Sequence, residues 1–245
     1  MARFVLVHGG FVDSTYWGET RAALEVSGHE VVLAELPSTG PDPAALGGLA
    51  DDVAEVRRLL DGGDGRAVLV GHSYGGLVLT EIADHPGIAC SVYVSAFWPA
   101  RGQGITDMLP ELLDWMQVHP GGAAVGTSGD PEVTRRGLAA DLDAERWRPW
   151  HDALGYSSLA DFAHRAIAPD RRHPVTYLIC QRDAALVPSL QEGMAARADR
   201  VARIDTSHSP MLVDPRGLAR LLEEAASAAG PAEAAGARGR PGAAV

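Results

Sequence analysis

A glycine-flanked serine stands where an extended apolar run gives way to a helical pattern, and few backbones accommodate that combination. Ala67-Val68-Leu69-Val70 leads into Gly71-His72-Ser73-Tyr74-Gly75, and Gly76-Leu77-Val78-Leu79-Thr80 follows. A G-x-S-x-G bend between strand and helix holds its serine in a strained, outward-facing position. Gly71 and Gly75 place no Cβ where strand and helix crowd together, which leaves the Ser73 hydroxyl free to project. Ser73 is therefore a nucleophile candidate.

The bend belongs to a longer alternation. Apolar, β-branched-rich runs fall at 3–8, 30–35, 66–72, 90–96, 174–180 and 199–204, and stretches of helical period lie near 17–27, 44–61, 75–84, 188–196 and 214–228. Continuous apolar runs separated by helices predict parallel strands covered on both faces, hence a doubly wound α/β domain with a mostly parallel sheet of about six strands. Residues 1–98 and 173–228 form this expected core.

Between Pro99 and Arg172 the alternation lapses and no convincing strand appears. Helical patterns are read instead at 105–118, 131–142, 143–153 and 158–167. So long an insertion must carry its own structure. Residues 99–172 are expected to form a helical lid, inserted before the last two strands and placed over the carboxyl ends of the sheet. Residues 229–245 are Ala/Gly/Pro-rich without periodicity and read as a disordered tail.

With 245 residues and a formal charge of −11, the chain can bury a sizeable core but is ill suited to nucleic acid or to anionic membranes. All its basic residues are Arg, which excludes a lysine Schiff base. Cys90 and Cys180 fall at opposite ends of predicted neighbouring strands, so a disulfide is not expected. The run Phe4-Val5-Leu6-Val7 is too short for a signal-peptide core, no stretch approaches a membrane span, and a cytoplasmic location is expected. The expected partner is a small-molecule substrate, a homodimer being left open.

A serine hydroxyl needs a base, and the base needs a carboxylate behind it. His208, in Thr206-Ser207-His208-Ser209-Pro210 after the last predicted strand, is the base candidate. Asp183, directly after the run ending at Cys180, is the acid candidate, with Asp205 and Asp107 as weaker rivals. The chain order Ser, Asp, His suits this architecture. Among the other histidines, His72 reads as packing beneath the nucleophile and His8 as shaping the first loop.

Developing negative charge on the substrate requires two backbone N–H donors. Tyr74, after the nucleophile and at a helix start, supplies one candidate; Gly10, in His8-Gly9-Gly10-Phe11, supplies the other, with Phe11 next in line. Phe11, Trp98, Leu109, Trp115 and Trp147 are candidates for binding substrate, although lid residues of this kind also pack the lid on the body. The sequence has no H-E-x-x-H, C-x-x-C, Walker or G-x-G-x-x-G pattern, and neither cofactor nor metal is expected.

These residues resemble the α/β-hydrolase superfamily, more closely its small lidded serine esterases, which include plant methylesterases, hydroxynitrile lyases and bacterial carboxylesterases. The resemblance rests on Val5-Leu6-Val7-His8-Gly9-Gly10-Phe11, the segment from Val70 to Gly76, Val92-Tyr93-Val94-Ser95-Ala96-Phe97, Asp183 with Val187-Pro188, and Ser207-His208-Ser209-Pro210. It implies a Ser73–Asp183–His208 triad, oxyanion donors at Gly10 and Tyr74, and an apolar pocket beneath the lid. Plant-type hydroxynitrile lyases carry lysine where this chain has Ser209, and epoxide hydrolases and dehalogenases carry Asp where it has Ser73. The implied activity is hydrolysis of small or medium apolar esters or lactones through an acyl-enzyme. Two other expectations stand beside it: a metabolite-tailoring enzyme that cleaves C–C or amide bonds, cyclises or transfers acyl groups, and a non-catalytic ligand receptor on the same fold.

Overall fold

Two sheets hold the strands of the computed structural model, which describes residues 1–230. The larger contains β1 (Arg3–Val7), β2 (Glu30–Ala34), β4 (Ala67–Ser73), β5 (Ile88–Ala96), β9 (Val175–Cys180) and β10 (Arg200–Ile204). The smaller contains β3 (Thr39–Gly40), β6 (Met116–Val118), β7 (Ala124–Thr127) and β8 (Tyr156–Ser158).

The large sheet runs β10-β9-β5-β4-β1-β2, and every adjacent pair is parallel. Each residue of β1 and β9 is buried, because helices cover both faces of a parallel sheet. The edge strands β2 and β10 are only partly covered. From β1 the chain steps outward to β2, returns to β4 and then builds in the opposite direction, so strand order reverses between β1 and β4. At such a reversal the loops leaving the carboxyl ends diverge and open a crevice. Those two loops carry Gly9-Gly10-Phe11 and Ser73-Tyr74.

Helices α1 (Gly18–Val26), α2 (Leu49–Asp61), α3 (Gly75–Glu81), α8 (Pro188–Ala195), α9 (Pro210–Val213) and α10 (Pro215–Ala228) accompany the large sheet. Among these helices α1 packs on α10 and α2 on α3. The predicted tail, apart from Ala229 and Gly230, lies outside the described residues. Cys90 and Cys180 are both buried and free.

The insertion contains the four helices α4 (Ile105–Met108), α5 (Pro131–Leu138), α6 (Ala144–Asp152) and α7 (Leu159–Phe162), and also β6, β7 and β8, which sequence reading did not anticipate. Asp130 caps α5, accepting from the N–H groups of Glu132 and Val133, with Pro131 in the first turn; Asp143 caps α6. The helix read at 105–118 stops at Met108, since Pro110 cannot continue it. Residues 116–118 instead pair antiparallel with β7 across the turn at Pro120-Gly121-Gly122. The small sheet is antiparallel in the order β3-β8-β7-β6, so Thr39–Gly40, from the body, completes a sheet otherwise made by the insertion.

Candidate active site

Ser73 ends β4 with φ +51°, a left-handed conformation that costs a β-carbon-bearing residue of order 1–3 kcal/mol. The bend is tight enough to require glycine after it. A Cβ on Gly75 would lie 2.6 Å from the His8 carbonyl oxygen, and one on Gly76 only 2.3 Å from that of Phe97. Ser73 accepts through its own carbonyl from Phe97 N–H at 3.0 Å, which fixes the bend on β5.

His208 and Asp183 are brought together from the loops after β10 and β9. The imidazole Nδ1 lies 2.7 Å from Asp183 Oδ2, and both residues are almost fully buried. The carboxylate is held from all sides: Oδ1 accepts from Ala185 and Leu186 N–H, each at 2.8 Å, and Oδ2 also accepts from Ser95 Oγ–H and, at 3.3 Å, from Gln191 Nε2. Five donors converge on this one carboxylate and hold its orientation. Asp205 pairs instead with Arg182 at 2.9 Å, and Asp107 with Arg165, so neither rival acid approaches His208.

Ser73, His208, Gly10 and Tyr74 line one cavity. Neither Ser73 Oγ nor His208 Nε2 has a hydrogen-bond partner among the described residues, and the same is true of the Gly10 and Tyr74 N–H groups. The Phe11 N–H is different, since it donates to Ser157 Oγ at 2.9 Å. Gly10 rather than Phe11 is thus the loop residue with a free donor.

His72, near the end of β4, and His8, just after β1, are structural supports. His72 Nε2 lies 2.8 Å from the His208 carbonyl oxygen, and burial together with neighbouring His208 holds its imidazole well below the ordinary range. It is a neutral donor that anchors the His208 backbone. His8 is likewise lowered by burial; its Nδ1 lies 2.8 Å from the Gly9 carbonyl while Nε2 accepts from Leu36 N–H at 3.1 Å.

Of the predicted substrate-binding residues, Phe11, Leu109 and Trp115 line the cavity, with the Phe11 and Trp115 rings edge to face at 5.3 Å. Trp98 and Trp147 do not, and correct the expectation. Trp98 stacks on Tyr93 at 4.7 Å with Arg197 over its ring at 4.5 Å, because residues alternate sides after β5 and Phe97 takes the cavity side. Trp147 is 1% exposed and donates its indole N–H to the Pro131 carbonyl, filling the space between α5 and α6. Sequence reasoning also missed Ser95. It sits at a β-bulge where the β4–β5 register shifts, with φ +39°, and no short-range pattern announces such a residue.

The cavity is a narrow slot of about 30 Å³. Its walls are Leu109, Leu113, Met116, Leu138, Phe162 and Leu186 besides the aromatic pair. Ser209 also lines it, donating to the Leu138 carbonyl at 2.7 Å and lying 2.8 Å from Tyr16 Oη. Both hydroxyls are engaged with each other, which leaves this part of the wall neutral.

The fold and this arrangement define an alpha/beta hydrolase, and the chain belongs to that family: the family model described as "Alpha/beta hydrolase family" matches residues 4–221. Among similar proteins, the polyneuridine aldehyde esterase of Rauvolfia serpentina is 32% identical over 249 residues, 89% of this chain and 93% of the relative. The carbendazim hydrolyzing esterase of Nocardioides sp. (strain SG-4G) is 37% identical over 120 residues, and the match spans about half of each protein, 46% of this chain and 49% of the relative. The crystal structure of a pyrethroid hydrolase from Sphingobium faniae JZ-2 superposes with a TM-score of 0.83 at 22% identity, over 93% of this chain and 98% of that one, which shows a shared fold. Fold and relatives together place this chain among the ester hydrolases of the family.

Proposed function

We propose that this protein hydrolyses small or medium apolar carboxylic esters through an acyl-enzyme, with Ser73 as nucleophile, His208 as base and Asp183 as its orienting carboxylate. The observation that carries this is the confluence of a strained serine, an imidazole whose far nitrogen is fixed on a five-donor carboxylate, and two unpaired amides on one apolar slot. In the attack step His208 Nε2 takes the Ser73 proton as Oγ bonds to the ester carbon, and the carbonyl electron pair moves to oxygen. That oxyanion is stabilised by the Gly10 and Tyr74 N–H groups, an arrangement in which each donor is worth about 10²–10³ in turnover. Collapse returns the proton to the departing alkoxide. Water, deprotonated by the same imidazole, then releases the acid and restores Ser73. Ser209 presents no charge beside His208, which supports hydrolysis over chemistry needing an ammonium group there.

The test is turnover of p-nitrophenyl acetate and butyrate by wild type and by Ser73→Ala. Turnover abolished in the variant, together with fluorophosphonate labelling of wild type alone, is the expected result; full activity in Ser73→Ala refutes the mechanism. The narrowness of the slot favours a second reading, a tailoring enzyme for one metabolite. Slow turnover of generic esters despite complete fluorophosphonate labelling is its signature.

A further inference from the structure

Behind the nucleophile bend two carboxyl groups meet one phenol. The Tyr74 hydroxyl lies 2.7 Å from Asp52 Oδ2 and 3.2 Å from Asp161 Oδ2. Asp52 belongs to α2 and is 0% exposed; Asp161 belongs to α7 of the insertion and is 7% exposed. The remaining oxygens are satisfied by backbone: Asp52 Oδ1 accepts from Ser38 N–H at 2.9 Å and Asp161 Oδ1 from Leu49 N–H at 3.1 Å. No arginine reaches either carboxyl group among the described residues.

The hydrogen count decides what this cluster is. A phenol has one hydrogen, and two carboxylates offer none. If both acids were ionised, Tyr74 O–H could satisfy only one of the two oxygens facing it; the Ser38 and Ser158 hydroxyls beside Asp52 and Asp161 favour the charged forms, but burial outweighs them, and two like charges would share one buried site. One added proton resolves the conflict: Asp161 O–H donates to Tyr74 Oη while Tyr74 O–H donates to Asp52. The proton comes from solvent and returns there, so nothing else is consumed.

We infer that Asp52, Tyr74 and Asp161 form a single-proton anchor that ties the insertion to the residue supplying an oxyanion-hole amide. Asp161 and Asp52 are positioning residues, since they touch no reacting atom. Their purchase is on both walls of the slot: Phe162, next to Asp161, and Tyr74 itself line it. Loss of the proton sets Asp161 against Asp52, loosens α7 and frees the ring whose own backbone N–H must stay aimed at the oxyanion.

The surroundings set the direction of the pH response. Burial raises the Asp52 carboxyl above its ordinary range, and the Asp161 charge adds to that; burial likewise raises Asp161. The ionisable groups nearest the pair are few. His164, just after α7, opposes the rise at Asp161, and its Nε2 stands 3.5 Å from Glu81 at the end of α3; Asp51 on α2 turns its carboxylate to Gly48 N–H at 3.0 Å. A carboxyl raised by folding contributes stability that is complete below its unfolded pKa, about 3.9, and is lost as pH rises through the folded value. The anchor therefore weakens toward alkaline pH.

The experiment compares wild type with Asp161→Asn, whose amide donates to Tyr74 Oη at every pH, and with Asp52→Asn as a second variant. Melting temperature is followed from pH 4 to 9, and kcat/KM for p-nitrophenyl butyrate over the range where the ester is stable. Wild type is expected to lose roughly 3–5 °C relative to Asp161→Asn for each unit by which folding raises the shared pKa, and to lose activity several-fold over the same interval while the variant does not. If Asp161→Asn does not fold, the same divergence is sought in Asp52→Asn. Parallel melting curves for wild type and the folded variants overturn the anchor. The activity arm rests on the proposed esterase mechanism and the melting arm does not, so an inactive protein with diverging curves refutes only that mechanism.

Discussion

Asp183→Asn is the substitution whose consequence can be worked out atom by atom. Every neighbour of the carboxylate is a donor: Ala185 and Leu186 N–H on one oxygen, His208 Nδ1, Ser95 Oγ and Gln191 Nε2 on the other. An amide brings one oxygen and one NH₂, and so must present hydrogen to hydrogen somewhere. The two backbone donors are fixed in the turn at 183–186 and keep the oxygen. The NH₂ then faces His208, which must accept at Nδ1 and carry its proton on Nε2, toward Ser73. An imidazole in that tautomer cannot take the serine proton. The expected loss is about 10⁴ in kcat, or about 5 kcal/mol of transition-state stabilisation, with KM little changed. Stopped-flow and steady-state hydrolysis of p-nitrophenyl butyrate, beside a thermal melt to show that the variant is folded, make the assay. A folded Asp183→Asn that keeps more than a tenth of wild-type kcat refutes the tautomer argument.

Two further outcomes follow from side chains on either side of the insertion. Trp115→Ala should widen the slot and change KM for bulky esters by tenfold or more, whereas Trp98→Ala, on the far side, should leave ester KM within about twofold; the reverse ranking would contradict the assignment of the walls. Burial pushes His173 down to about 4, with Ser91 Oγ at 2.8 Å from its Nε2. Because folding depresses this pKa, its stabilising effect is present above about 6.5 and is lost as pH falls toward 4, costing up to about 3 kcal/mol there. Urea unfolding at pH 7 and pH 4.5 should show this acid loss in wild type and a smaller one in His173→Gln.

Much of the site was readable from the chain because its parts are tied to strand ends. Ser73 lies in a bend that only a strand-to-helix junction flanked by glycine produces, and Asp183 and His208 each follow an apolar run whose end a period-based reading can find. The small sheet was not readable: β3, β6, β7 and β8 span two to four residues each, too few for alternation to show, and Thr39–Gly40 joins them from 76 residues before β6 begins to its own partner at Tyr156–Ser157 only through tertiary contact. Phe97 and not the expected Trp98 lines the slot, since the side on which a side chain emerges after a strand depends on where the strand stops. Asp52 and Asp161 fall inside the stretches of helical period at 44–61 and 158–167, and nothing in the sequence marks them out. Their burial against Tyr74 appears only once α2, α3 and α7 are brought together.

The pairing of β3 with β8 bears on which part of the wall can change. Gly155 N–H donates to the Phe11 carbonyl at 2.7 Å and Phe11 N–H to Ser157, so the strand stitched to the body is also stitched to the loop that carries Gly10. Displacing the whole insertion would break both bonds to the Gly9-Gly10-Phe11 loop in the same movement. The stretch from Leu109 to Trp115 borders both the slot and an outer groove with Val133 and Arg136, so the wall can be reshaped there without touching Ser73, Asp183 or His208.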